Sequence, residues 1–371
     1  MRADVILKSR SINFILAVAS ISLIILIITL SWINGLPLLL LSSNPKDEPT
    51  SCPLAVQQAR GVYADKSKSQ DGGFQNVVLL TAANYGYLSM LQNWEYLVND
   101  MGLKWAVLAL DDPLYQFLGK ERAVPVDARY AVGGEQKWAS RGFNRMTCNK
   151  LRQVLNVMKS CHMDVLFSDC DNVFLQNPFE HDLGKLIQSQ QFDYLYQPND
   201  RVMGPRNHSC LDQGRIVSEG NTGFYYLKHD NQFFQEVMEK TLQNCSRFLN
   251  LVDDQTLFWR TYHEMAFQSQ PKEEEPAQTI THCDAAQVDQ IVANVGDILQ
   301  QQQPPAIARL CCMDGYYYPI GDGDHPTNPT PITYHANYAS GPQQKIQKLL
   351  NASANAWNES RIHLVKDEGS L

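Results

Sequence analysis

Three short apolar runs dominate the pattern of this chain: VVLLT at 77–81, WAVLAL at 105–110 and DVLF at 164–167. Runs of this length without polar alternation are those of strands buried on both faces. Between them the apolar residues recur every three or four positions. Leu91, Trp94 and Val98 mark a helix over 88–101, and Leu151, Val154, Leu155 and Met158 mark another over 147–161. Strand and helix in this alternation predict a mainly parallel sheet with helices on both faces. FDYLYQ at 192–197 and GFYYLK at 223–228 add two more strands, and Asp230 is placed to cap a helix running to about Phe248. Residues 268–279 and 300–305 read as surface loops.

The amino terminus follows a different rule. Residues 12–33 carry no charge, and a helix of that length reaches roughly 33 Å, enough to cross a bilayer core. The run is longer than the apolar part of a cleaved signal peptide and lacks a clear small-residue site after it. Arg2, Lys8 and Arg10 outweigh Asp4 on the preceding side, so that side is expected to stay cytosolic. The expectation is a type II single-pass protein, with an uncleaved signal as the alternative. Its parts are a cytosolic tail (1–11), a signal-anchor (12–33), a polar Pro- and Gly-broken stem (34–75) and a lumenal domain (76–371).

Composition agrees with a folded lumenal domain and narrows the choice. Of 371 residues, 44% are hydrophobic and 10% aromatic, which excludes wholesale disorder. A net charge of −8 argues against nucleic acid as a partner. Four glycosylation sequons, at Asn207, Asn244, Asn351 and Asn358, and all nine cysteines lie beyond the apolar run. The odd cysteine count leaves at least one thiol unpaired, and no paired C-x-x-C spacing suggests a zinc finger.

In open α/β sheets, ligands sit beyond the carboxyl ends of the strands. SDCDNVF, at 168–174, occupies such a place: Asp169 and Asp171 follow the run DVLF and, two residues apart, project the same way on extended backbone. Paired hard oxygens suit Mn²⁺ or Mg²⁺, which can bridge a diphosphate and neutralise a departing nucleoside diphosphate. A second Asp-x-Asp pair, Asp322/Asp324, lies in the loop GDGDHP and follows no buried strand.

Four blocks carry a family resemblance: KLRQVLNVMKSCHMDVLFSDCDNVFLQNPF, EGNTGFYYLK, DDQTLFWR and YHANYASGPQQKIQKLL. In this order they resemble the nucleotide-diphospho-sugar transferases, among them plant arabinosyl-, xylosyl- and galactosyltransferases of the retaining, type II Golgi kind. The resemblance covers roughly residues 76–350. It implies a GT-A fold, a Rossmann-like mixed central sheet with helices on both faces. It also implies a nucleotide-sugar donor, a glycan or glycoprotein acceptor, and transfer of a hexose or pentose at a Golgi membrane. Asp169, Asp171 and His335 are then the metal set, with Asp169 also on the donor. Cys170 stands at the middle of the motif, where Val or Ala is more usual.

The remaining blocks have physical readings of their own. A cation at Lys150 stabilises charge on a leaving diphosphate. Asn221 offers hydrogen bonds to sugar hydroxyls, and Gly223 lets backbone approach closely. Asp253 and Asp254 fit a helix cap followed by a first-turn acid, while the resemblance puts Asp254 and Gln255 at the reacting sugar. Fold analogy puts Thr81, Ala82, Ala83 and Asn84, with Asp111, at the uridine. The competing class is a lumenal glycan-binding protein that keeps the fold without catalysis; loss of Asp169, Asp171 or His335 would have favoured it. A metal-dependent phosphohydrolase would need more clustered His and Asp ligands.

Overall fold

A computed structural model describes residues 51–71, 73–200, 210–212, 215–216, 219–248, 251–268, 279–283, 306–321, 326 and 328–362. The expected tail, the anchor at 12–33, the stem up to residue 50, the loop at 300–305, most of that at 268–279 and the Asp322/Asp324 pair lie outside them. Among the described residues no helix is long and apolar enough to cross a membrane.

Helices α1 (Leu54–Ala59) and α2 (Lys66–Asp71) precede strand β1 (Val77–Ala83). Then come α3 (Leu88–Asp100), β2 (Ala106–Ala109), α4 (Asp112–Leu118), β3 (Ala123–Val124), α5 (Arg141–Cys161), β4 (Asp164–Ser168) and β5 (Asn172–Phe174). The second half holds α6 (Asp182–Gln188), β6 (Tyr194–Pro198), β7 (Leu211–Asp212), β8 (Arg215–Ile216), β9 (Gly220–Leu227), α7 (Gln232–Arg247) and α8 (Asp254–Gln268). It ends with β10 (Thr279–Cys283), β11 (Ala306–Cys312), β12 (Thr333–His335) and α9 (Gly341–Ala352).

Eight strands form one sheet in the order β10-β11-β6-β9-β4-β1-β2-β3. All neighbours are parallel except β9, which runs antiparallel to both β4 and β6. The expectation of a mixed α/β sheet with covered faces therefore holds. Alternation along β1 separates the two faces: Val77 and Leu79 pack with Trp94 and Val98 of α3, and Val78 and Leu80 with Val154 and Met158 of α5. Because β9 is reversed, its first residues reach the same edge as the last residues of β4. Two segments far apart in sequence thus meet at one rim.

Three local expectations need correction. The stretch expected as a stem packs on the body where it is described. Ala55, Val56 and Ala59 form a helical stripe buried against the sheet, and Cys52 is bonded to Cys161 at the end of α5. This stripe of one turn is too short to stand out against a polar, Pro-broken composition. Helix α7 is capped by Asn231 and not by Asp230, since Asn231 Oδ1 accepts the amide of Phe234 at 3.1 Å. Helix α5 starts at Arg141, six residues before the expected start, where Ser140 Oγ accepts the Phe143 amide.

Candidate active site

The turn after β4 is fixed by backbone bonds on both sides. The Asp169 amide donates to the Gly223 carbonyl at 2.7 Å, and the Asn172 amide to the Asp169 carbonyl at 2.9 Å. Strand β5 then pairs antiparallel with β12 in a register that sets His335 opposite Asn172. The Ala336 amide closes the arrangement on the Asp171 carbonyl at 2.9 Å. His335 Nε2 consequently lies 3.4 Å from Asp171 Oδ1 and 4.0 Å from Asp169 Oδ2. One ligand atom from each of the three residues falls within 4.8 Å of the others.

This donor set fits a divalent cation. Two carboxylates and one imidazole suit Mn²⁺ or Mg²⁺, and the space for them is kept open by Gly223. A Cβ there would overlap His335 Cε1 and lie 2.6 Å from Asp169 Oδ2. His335 is buried, and its Nδ1 has no partner among the described residues.

Two lysines flank the triad, Lys150 buried and Lys345 half-buried. Lys150 Nζ lies 3.2 Å from Asp169 Oδ1, 3.2 Å from the Thr222 carbonyl and 3.7 Å from Asp254 Oδ2. Lys345 Nζ donates to Asp171 Oδ2. Burial by itself would lower both ammonium pKa values, but Asp169 and Asp254 outweigh it for Lys150, as Asp171 does for Lys345, so both are raised. Asp171 shows the reverse balance. Burial would raise it, yet Lys345 and His335 hold it well below the usual carboxylate range. Asp254 is raised by burial, which Lys150 only partly offsets.

A cavity of about 540 Å³ opens on this cluster. It takes in most of the residues singled out from sequence: the triad, Lys150, Asn221, Asp254 and Gln255, with Ala82, Ala83 and Asn84 at the end of β1. Asp253 caps α8 through the Thr256 amide at 2.9 Å, which leaves Asp254 to face Lys150. Gln255 Oε1 accepts the Thr222 amide at 3.1 Å. Asn221 is engaged at both ends, accepting from the Gly223 amide at 2.7 Å and donating to Asn199 Oδ1 at 2.9 Å. Asn84 Oδ1 is buried without a partner among the described residues.

Two of the expected contacts are not brought in. Thr81 and Asp111 do not line the cavity. Asp111 is occupied as the cap of α4, accepting the Leu114 amide at 3.1 Å and the Tyr85 amide at 3.0 Å. Thr81 is fully buried one residue short of the lining. Among the described residues the free thiol is Cys170, between the two aspartates of the motif. Burial and its two acidic neighbours push it well above the usual thiol range.

Lys345 was not singled out from sequence, although it stands in the last matched block. No local signal marks it, since its partner Asp171 lies 174 residues away in the chain.

The family profile described as "Nucleotide-diphospho-sugar transferase" matches residues 103–349. A curated relative from Arabidopsis thaliana, "UDP-D-xylose:L-fucose alpha-1,3-D-xylosyltransferase 3", is 26% identical over 137 residues, 36% of this chain. That match spans about a third of the relative's own length, 34%. Among solved structures, the glycosyltransferase GlyE of Streptococcus pneumoniae TIGR4 aligns over 75% of this chain and 61% of its own, at 11% identity and a TM-score of 0.36. The galactosyltransferase LgtC, solved in complex with donor and acceptor sugar analogs, covers 74% of this chain and 83% of its own, at 14% identity and a TM-score of 0.32.

Proposed function

Because the chain belongs to the nucleotide-diphospho-sugar transferase family, we propose that it moves a hexose or pentose from a nucleotide sugar, a UDP-sugar, to a glycan or glycoprotein acceptor with retention of configuration. The observation that carries this is the convergence of Asp169, Asp171 and His335 between Lys150 and Lys345 in one cavity. On this reading the fold is of the GT-A type.

Asp169, Asp171 and His335 would hold Mn²⁺ or Mg²⁺, which when bound supplies Lewis-acid neutralisation of the donor diphosphate. Lys150 and Lys345, already charged against carboxylates, add fixed positive charge where the leaving phosphate develops its negative charge. Gln255, tethered through Oε1, keeps Nε2 to donate to a sugar oxygen, and Asp254 Oδ2 has accepting capacity left. Asn84 Oδ1 is the matching acceptor for a nucleobase N–H.

The bond from the anomeric carbon to the phosphate oxygen breaks with its electron pair going to that oxygen. The acceptor hydroxyl attacks from the same face and gives its proton to the same phosphate oxygen. No side chain needs to act as base. The relative's own donor and acceptor, UDP-D-xylose and L-fucose, are the first pair to try.

The compartment proposed here rests on the disulfides. Cys52–Cys161, Cys148–Cys245 and Cys210–Cys312 are disulfides, which persist in oxidising lumens and not in cytosol. With residues 12–33 as signal-anchor, this supports a type II Golgi membrane protein with residues 76–371 in the lumen.

The test is a screen of the full chain against several UDP-sugars with Mn²⁺, reading UDP release. Metal-dependent release from at least one donor is expected. It should be lost in Asp171→Asn and largely kept in Asp322→Ala and Asp324→Ala. Binding or turnover of none of the donors would overturn the proposal.

A further inference from the structure

Trp138 is 71% exposed and Tyr338 59%. Of the large apolar side chains that the described residues leave in water, only these two line the cavity around Asp169 and Asp171. Among those residues Trp138 stacks on no other ring, and its indole N–H has no acceptor. A bare tryptophan at the mouth of a cavity that holds the carboxylates is an apolar surface without a structural partner.

The loops carrying the two rings are tied to the site. Asn84 Nδ2 donates to the Val132 and Gly134 carbonyls, at 3.1 and 2.7 Å, fixing the first loop over the end of β1. The Tyr338 hydroxyl donates to the Asn199 carbonyl at 3.2 Å, and Asn199 Oδ1 accepts from Asn221, tying the second loop to β9. The loops meet where Gly341 faces Glu135, so closely that a Cβ on Gly341 would overlap Glu135 Oε1. Trp138 and Tyr338 each lie three residues from that meeting point. Tyr338 itself has φ 53° and Ala139, next to Trp138, φ 58°, left-handed backbone that non-glycine residues adopt uncommonly.

We propose that Trp138 and Tyr338 form the acceptor subsite, a platform on which the apolar C–H face of a pyranose ring stacks while the rest of the glycan remains in solvent. This rests on the transferase reading above. The donor's anchoring groups are buried, with Asn84 at 0% and Asp171 at 4% exposure. Rings left in water instead suit the ligand that arrives from solvent and stays partly in it. Rigid, broad and amphipathic aromatics bind such a face at small entropic cost.

The test uses the full chain and Trp138→Ala, Trp138→Phe and Tyr338→Ala, with UDP-sugar donors and a panel of methyl pyranosides that includes methyl α-L-fucopyranoside. Donor KM, read from hydrolysis of the donor by water, should stay within about twofold, while kcat/KM for transfer to the best pyranoside falls about tenfold in each alanine variant. Trp138→Phe should recover part of that loss. A rise in donor KM would mean that the rings hold the nucleotide, and unchanged transfer would mean that they hold nothing; either overturns the proposal. Saturation-transfer NMR with the same pyranosides decides independently of turnover. A transfer signal that disappears in Trp138→Ala supports the subsite, and no signal from the wild-type chain overturns it. Failure of the transferase reading looks different, as absence of UDP release from every donor.

Discussion

Gly223 packs its α-carbon against the imidazole of His335, so that a methyl group there would overlap Cε1 and crowd Asp169 Oδ2 at 2.6 Å. The first residues of β9 therefore set the width of the metal-binding cleft, although none of them is a ligand. Gly223→Ala should weaken metal binding about tenfold or more and, because the methyl group must displace the buried His335 ring, also lower the thermal midpoint without metal. The check is activity against Mn²⁺ concentration beside a melting curve in chelator. An unchanged metal curve would show that the cleft tolerates the methyl group.

On the proposed reading, His335→Ala removes one of three protein ligands. The Mn²⁺ needed for half-activity should rise by about tenfold or more, and excess metal should restore part of the rate because Asp169 and Asp171 remain. A lowered melting point with an unaltered metal curve would make His335 a structural residue.

Lys345→Met removes the cation held on Asp171 and should lower kcat by about a hundredfold, without raising the Mn²⁺ requirement, since Asp171 loses a competing partner. Lys345→Arg should recover part of the rate. Steady-state kinetics at saturating metal decide it. A rate within about twofold of wild type would leave Lys345 no part in charge stabilisation.

Glu95, on α3, is buried beside Arg122 at 2.6 Å, yet burial outweighs that partner and raises its pKa from 4.5 to about 7. Arg122 is half exposed, so its charge is screened. A raised acid contributes stability below its unfolded value and loses it as pH climbs through the folded value. The wild-type chain should thus lose stability between pH 4.5 and about 7. Glu95→Gln should remove that component, so the variant gains on wild type as pH rises. Melting temperatures of both proteins at about pH 5 and pH 8 test this. An identical pH dependence would contradict it.

The metal motif was legible because a buried strand betrays itself by continuous apolar residues, and the residues just past its carboxyl end are placed to face a ligand. Asp169 and Asp171 are read this way from local pattern alone. His335 was reached only through the matched block, for nothing in its neighbourhood links it to a strand that lies 160 residues earlier. Asp111 shows the opposite failure. Its position after the second apolar run suggested a nucleotide contact, but an Asp before Asp-Pro is equally a helix cap, and capping is where the side chain is spent.

Sequence by itself determined the alternating α/β architecture, the strand that presents the paired carboxylates and the cap-plus-acid at Asp253 and Asp254, all of which depend on residues near one another in the chain. The tertiary structure alone decided which distant groups complete the site. The antiparallel insertion of β9 brings Gly223 and Asn221 to the edge where β4 ends, and the β5–β12 register sets His335 beside Asp171. The packing of α9 delivers Lys345, and among the described residues six cysteines pair in the disulfides named above while Cys170 is left as the free thiol. Periodicity records which face of an element is buried. It carries no information on which other element covers that face, since this depends on strand order and register, and those are settled only when the whole sheet assembles.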